Sequence, residues 1–110
     1  MVITAERKKL NKSEINRSLS ELKRKLISEN IPVVKTILFG SYAKGYEHID
    51  SDIDVAIVLS PKISNETKRK IRQIPWWAKQ INIKLEPHIL STADLKNKYV
   101  SIVGEIKKCA

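Results

Sequence analysis

Cysteine occurs once in 110 residues, as Cys109. A single thiol excludes an internal disulfide, and Cys109 has no Cys or His neighbour at the spacing that zinc ligands need. The chain is therefore read as cytoplasmic, with an incidental thiol. No run approaches the roughly 18 consecutive apolar residues of a membrane span. Met1 to Leu10 carries charge and has no apolar h-region, so no signal peptide is expected. Repeats, low-complexity tracts and linkers are also missing, and the length suits a single domain over residues 1–110. Acidic residues are outnumbered, 12 against 21 basic ones, for a net charge of +9. That balance implies affinity for polyanions: nucleotide, nucleic acid or an acidic protein. It does not choose among them, and lysine-rich solvated helices account for it equally well.

What is present is enough for one folded core. Apolar residues make up 42% and charged residues 30%, the proportions of a globular rather than a disordered chain. Residues 4–30 read as helix, with Leu10, Ile15, Leu19, Leu22, Leu26 and Ile27 recurring at helical spacing. Ser13 is a candidate N-cap, with a break allowed for at Asn11 to Ser13. Asn30 and Pro32 close the segment. Val33 to Phe39 is a strand bounded by Gly40, and Ser41 to Lys44 form a helical turn closed by Gly45. Asp52 to Leu59 is the strongest strand in the chain. Asn65 to Gln80 is helical, divided or kinked by Pro75. Asn82 to Leu90 alternates through Ile83, Leu85 and Ile89, a strand in which Pro87 marks either a sheet edge or the end of the ladder. Short helices are expected at 92–97 and 101–108. Trp76 and Trp77 would point about 100° apart on a helix, so one enters the core. The order of elements predicts an α/β (α+β) fold: a small mixed sheet of three to four strands with helices packed against it.

The chemistry concentrates in Gly40-Ser41, a ten-residue spacer and Asp52-Ile53-Asp54. Carboxylates two apart on a strand project from one face, about 6–7 Å apart along it. Held at a strand start, they suit a hard divalent cation such as Mg²⁺, which takes oxygen ligands and shares itself with substrate phosphates. Gly40 and Ser41 lie where a strand turns into a helix. Glycine there lets backbone approach a phosphate, the helix start offers N–H groups, and the serine hydroxyl adds a donor. Each half alone is an ordinary turn or a solvated strand start. Together they form the equipment of phosphoryl or nucleotidyl transfer.

Phe39-Gly40-Ser41-Tyr42-Ala43-Lys44-Gly45 followed by Asp52-Ile53-Asp54 closely resembles the signature of the DNA polymerase beta-like nucleotidyltransferases, and within them the minimal nucleotidyltransferase (MNT) branch. The motif runs from Phe39 to Asp54, 16 residues. The resemblance implies that Gly40 and Ser41 hold the triphosphate of ATP and that Asp52 and Asp54 ligate Mg²⁺. Lys44, where that branch often carries Arg, would counter phosphate charge or simply face solvent. A third carboxylate stands on a later strand of the family, and the candidate is Glu86, a metal ligand and the group that orients or deprotonates an acceptor hydroxyl. His88, in phase with Glu86, reads as a structural or surface histidine rather than a base. Tyr42 either stacks on a base or packs on the sheet.

Relatives acting on polymers or antibiotics carry extra domains for the acceptor, and none is read here. The resemblance therefore implies an acceptor that arrives as a separate protein, a HEPN-domain toxin in a toxin–antitoxin module, adenylylated by this chain as antitoxin. The alternatives are transfer to a small molecule or RNA, and a non-catalytic nucleotide- or partner-binding module. Direct nucleic-acid binding through Lys68, Arg69, Lys70 and Arg72 is the lesser expectation for the basic surface. A homo-oligomer is left open.

Overall fold

Asn11, not Ser13, opens the first helix. The computed structural model describes residues 11–40, 42, 45 and 51–96, and in it helix α1 runs from Lys12 to Ser28. Asn11 Oδ1 accepts a hydrogen bond from the Glu14 backbone N–H at 2.8 Å, and Glu14 Oε1 accepts one from the Asn11 N–H at 3.2 Å. This reciprocal capping box needs an acid three residues after the cap. Asn11 has Glu14 there, whereas Ser13 would have Asn16. The helix ends as sharply. Asn30 takes a left-handed φ of 58°, its N–H donates to the Ile27 carbonyl, and the Ile31 N–H donates to the Leu26 carbonyl. That pair of bonds is a Schellman stop, with Asn in the position glycine usually fills. Ile31 and Leu26, joined across the stop, are both buried in the main core.

Three strands follow from these boundaries: β1 (Val33–Phe39), β2 (Ile53–Leu59) and β3 (Leu85–Ser91). They form one mixed sheet in the order β1-β2-β3, with β1 antiparallel and β3 parallel to the central β2. β2 is the most apolar strand because it is buried on both faces from Val55 to Leu59. Among the described residues β3 lies at an edge, where Pro87 is tolerated. Its start differs from the sequence expectation. Residues 83 and 84 form a turn, and Ile83 is 79% exposed, so the apparent alternation begins two residues before the real ladder. The Asn82 side chain explains the turn, accepting from the Lys84 N–H at 2.9 Å while its amide donates to the Ser18 hydroxyl.

Between β2 and β3 the single helical stretch of the sequence is two helices, α2 (Asn65–Ile71) and α3 (Ile74–Ile81). The division falls where Pro75 requires it: proline fits the first turn of α3, where its missing N–H is not needed. A short α4 (Thr92–Lys96) follows β3. The stretches 4–10 and 101–108, both expected to be helical, lie outside the described residues. Among the described residues no helix is long and apolar enough to cross a membrane.

The main core forms on one face of the sheet, and a smaller cluster of Phe39, Ala56 and Leu90 lies on the other. Ile15, Leu22 and Leu26 from α1 and Ile74, Trp77 and Ala78 from α3 meet Ile53, Val55, Ile57 and Leu59 of β2 and Leu85 of β3. Trp77 is the buried member of the tryptophan pair, with the Lys25 ammonium 5.0 Å from its ring centroid, while Trp76 is 62% exposed. Ile27 follows Leu26 in sequence but faces solvent. Leu22 is fully buried in this cluster. Leu22→Ala should therefore cost about 2–5 kcal/mol through lost burial and an unfilled cavity. Denaturant unfolding would read this as a lowered midpoint at unchanged slope.

Candidate functional site

The site occupies the opposite face of the sheet, at the end where β1 finishes and β2 and β3 begin. Register alone builds it. Phe39 stands beside Asp54, and Asp54 beside Glu86, so one row crosses all three strands. Neighbouring strands lie about 4.8 Å apart, which brings the two carboxyl-bearing positions side by side on one face. The next row is Ile37, Ala56 and His88. Asp52 lies one pleat before Asp54, exposed, ahead of the first paired residue of β2.

Gly40 follows β1 directly and bends the chain with a left-handed φ of 77°. A Cβ placed there would collide with Asp54 Oδ2 and come within 3.1 Å of its Cγ. Glycine is therefore required twice, by the backbone angle and by the carboxylate beside it. Tyr42, two residues on, is 9% exposed and belongs to the main core. Of its two expected roles the structure selects packing, which anchors the turn carrying Gly40. Ser41 and Lys44, the other expected nucleotide-binding residues, lie outside the described residues.

Each carboxylate in the row has a basic partner. Asp54 Oδ1 is 3.1 Å from His88 Nε2, and Phe39 meets the His88 ring edge-on with centroids 4.9 Å apart. Glu86 Oε2 accepts from Lys79 Nζ at 3.1 Å, and the same ammonium donates to the Ile83 carbonyl at 3.0 Å. The Lys79–Glu86 pair is largely exposed and adds little to stability. Its consequence is geometric: it holds Glu86 toward the turn before β3. The sequence puts Glu86 on the polar face of its strand, in phase with His88, and strand pairing sets it beside Asp54. Sequence reasoning assigns His88 to the surface or the scaffold and does not single out Lys79. The in-phase spacing of Glu86 and His88 was the available signal, but the contact with Asp54 depends on strand register.

The strand–glycine turn and the Asp-bearing central strand both fall within the stretch that a family model covers. The family model for the nucleotidyltransferase domain matches residues 12–109. This chain belongs to the nucleotidyltransferase domain family. A protein adenylyltransferase, MntA of Shewanella oneidensis, is 40% identical over 50 residues, which are 44% of this chain. The match spans 36% of that relative's length. A solved structure from Sulfolobus solfataricus, described as that of a nucleotidyltransferase, is 20% identical and covers 79% of this chain and 81% of its own. Its TM-score of 0.44 is too loose a likeness to bear on function.

A nucleotidyltransferase domain implies a divalent metal, and the donor set can be tested against one. Asp52, Asp54 and Glu86 offer only carboxylate oxygen, the ligand type that Mg²⁺ selects. The space beside Asp54 Oδ2 that a Cβ would fill is kept clear by Gly40. In kind and in backbone placement the residues fit. Their side chains are not gathered: among the described residues no group of three or more His, Cys, Asp or Glu is arranged to hold a metal. Glu86 would have to leave Lys79 to join Asp54.

Proposed function

We propose that this chain is a Mg²⁺-dependent nucleotidyltransferase that moves AMP from ATP onto a hydroxyl of a partner protein. The observation that carries the reading is Gly40 held bare against Asp54, in a row that continues to Glu86. The glycine turn and the two carboxylates lie at one sheet end, on the face away from the main core. The choice of AMP and of a protein acceptor is supported by the similarity to a protein adenylyltransferase.

Asp52 and Asp54, with Glu86 once it turns from Lys79, would hold the metal. Bound there, it would polarise the α-phosphate and offset charge on the departing pyrophosphate. Gly40 lets the backbone approach the triphosphate, with Ser41 and Lys44 following it in the sequence. Glu86 orients the acceptor hydroxyl and takes its proton as the new oxygen–phosphorus bond forms. The bond between the α-phosphorus and the bridging oxygen breaks, and pyrophosphate leaves. The partner we propose is a helical HEPN-domain protein, with this chain as its antitoxin. That choice rests on the MNT resemblance, and the exposed Trp76 is a candidate contact.

Co-expression with the product of the adjacent gene, followed by intact mass measurement, tests the reading. The expected result is a partner heavier by one AMP with the wild-type chain and an unmodified partner with Asp52→Asn or Asp54→Asn. No adduct, with RNA binding that weakens steeply as salt rises, would instead assign the exposed Lys68, Arg69 and Arg72 to nucleic acid.

A further inference from the structure

His88 lies outside the proposed reaction, yet it contacts the carboxylate on which that reaction depends. Asp54 Oδ1 sits 3.1 Å from His88 Nε2. A carboxylate accepts this bond when the imidazole proton is on Nε2. Three features keep the ring in place. Phe39 packs edge-on against it. The residue paired with His88 on β2 is Ala56, whose methyl leaves room for the ring to lean diagonally toward Asp54. Both partners are partly shielded, with 30% and 27% of their side chains exposed, so the bond is less screened than a surface pair. The other oxygen of Asp54 faces the place where Gly40 has no Cβ. One oxygen is tied and the other is presented.

We infer that His88 is a positioning residue: it fixes the carboxylate of Asp54 so that Oδ2 is directed at the space beside Gly40, where metal and phosphate would meet. This rests on the role proposed for Asp54. A histidine that orients a ligating carboxylate acts through geometry, as outer-shell partners of metal ligands do, and losing such a partner weakens metal binding about 10–100-fold.

Mn²⁺ titration into the protein without nucleotide, followed by the signal of the free ion in electron paramagnetic resonance, reads this apart from turnover. His88→Leu keeps bulk against Phe39 and removes the donor; it should raise the Mn²⁺ dissociation constant about tenfold or more. His88→Gln keeps an N–H donor at similar reach and should stay within about threefold of wild type. In an Asp54→Asn background, His88→Leu should add no further loss, because residues acting through one another are not additive. Should the leucine variant melt early, His88→Asn, whose amide is too short to reach Asp54, takes its place. Wild-type affinity in the donor-free variants, equal losses in the glutamine and donor-free variants, or a full additional loss in the Asp54→Asn background would each overturn the inference. If Asp54→Asn alone leaves Mn²⁺ binding unchanged, the role proposed for Asp54 fails and the inference with it. If Asp54→Asn weakens binding while His88→Leu does not, only the positioning role of His88 fails.

Discussion

Asp54→Asn is expected to lower nucleotide transfer by about a thousandfold or more, equivalent to roughly 4 kcal/mol of transition-state stabilisation. The loss should be chemical rather than structural. Asn Oδ1 can still accept from His88 Nε2, and Asp54 is only partly buried on a face away from the main core. The melting midpoint should therefore move by no more than about 1 kcal/mol of stability, the scale of one hydrogen bond. Asp52→Asn should follow in activity with a smaller change in stability still, since Asp52 is exposed. Incorporation of labelled ATP into the acceptor, measured beside thermal melts, checks both variants. Full activity in either one would rule out the paired-carboxylate clamp.

Gly40→Ala should damage the protein in two ways at once. A side chain at φ 77° costs about 1–2 kcal/mol in backbone strain. Its Cβ would also displace the Asp54 carboxylate, and misplacing a reacting group by an ångström costs about a hundredfold in rate. Transfer should fall by that factor or more, and ATP affinity should fall with it, more severely for Gly40→Val. Gly45 separates the two effects. It has nearly the same angle, φ 78°, but a Cβ there meets no atom within 4 Å. Gly45→Ala should thus show the strain alone, about 1 kcal/mol of lost stability. Calorimetric ATP titration with Gly40→Ala decides the matter: unchanged affinity together with unchanged activity would remove Gly40 from the site.

Much of this molecule is readable along the chain because local rules were obeyed. The spacing of Ile15, Leu19, Leu22 and Leu26 marks the buried side of α1, the β-branched run Val33–Phe39 is a strand at its expected bounds, and Pro75 divides α2 from α3. The Gly-Ser and Asp-x-Asp elements likewise point to the proposed chemistry, since that chemistry needs those side chains at short range in sequence. Where two local signals competed, position settled it. Ser13 and Asn11 are both good caps, and the acid three residues on selected Asn11.

The tertiary structure decided the rest. Ile83 continues an alternating pattern, but a side-chain bond from Asn82 turns the backbone before a strand can start. Tyr42 has two equivalent readings, and only tertiary packing places it in the core. Glu86 and His88 were legible as one face of a strand. Which of them touches Asp54 depends on parallel pairing with β2, more than 30 residues away in sequence. A slip of one residue would exchange the faces of β3 and dissolve the site while leaving every local propensity satisfied. Residue types and short spacings thus determine which chemistry this chain can perform. Register across the sheet determines that Asp54 meets His88 and Glu86 meets Lys79, because side-chain contacts between strands follow pairing and not sequence distance.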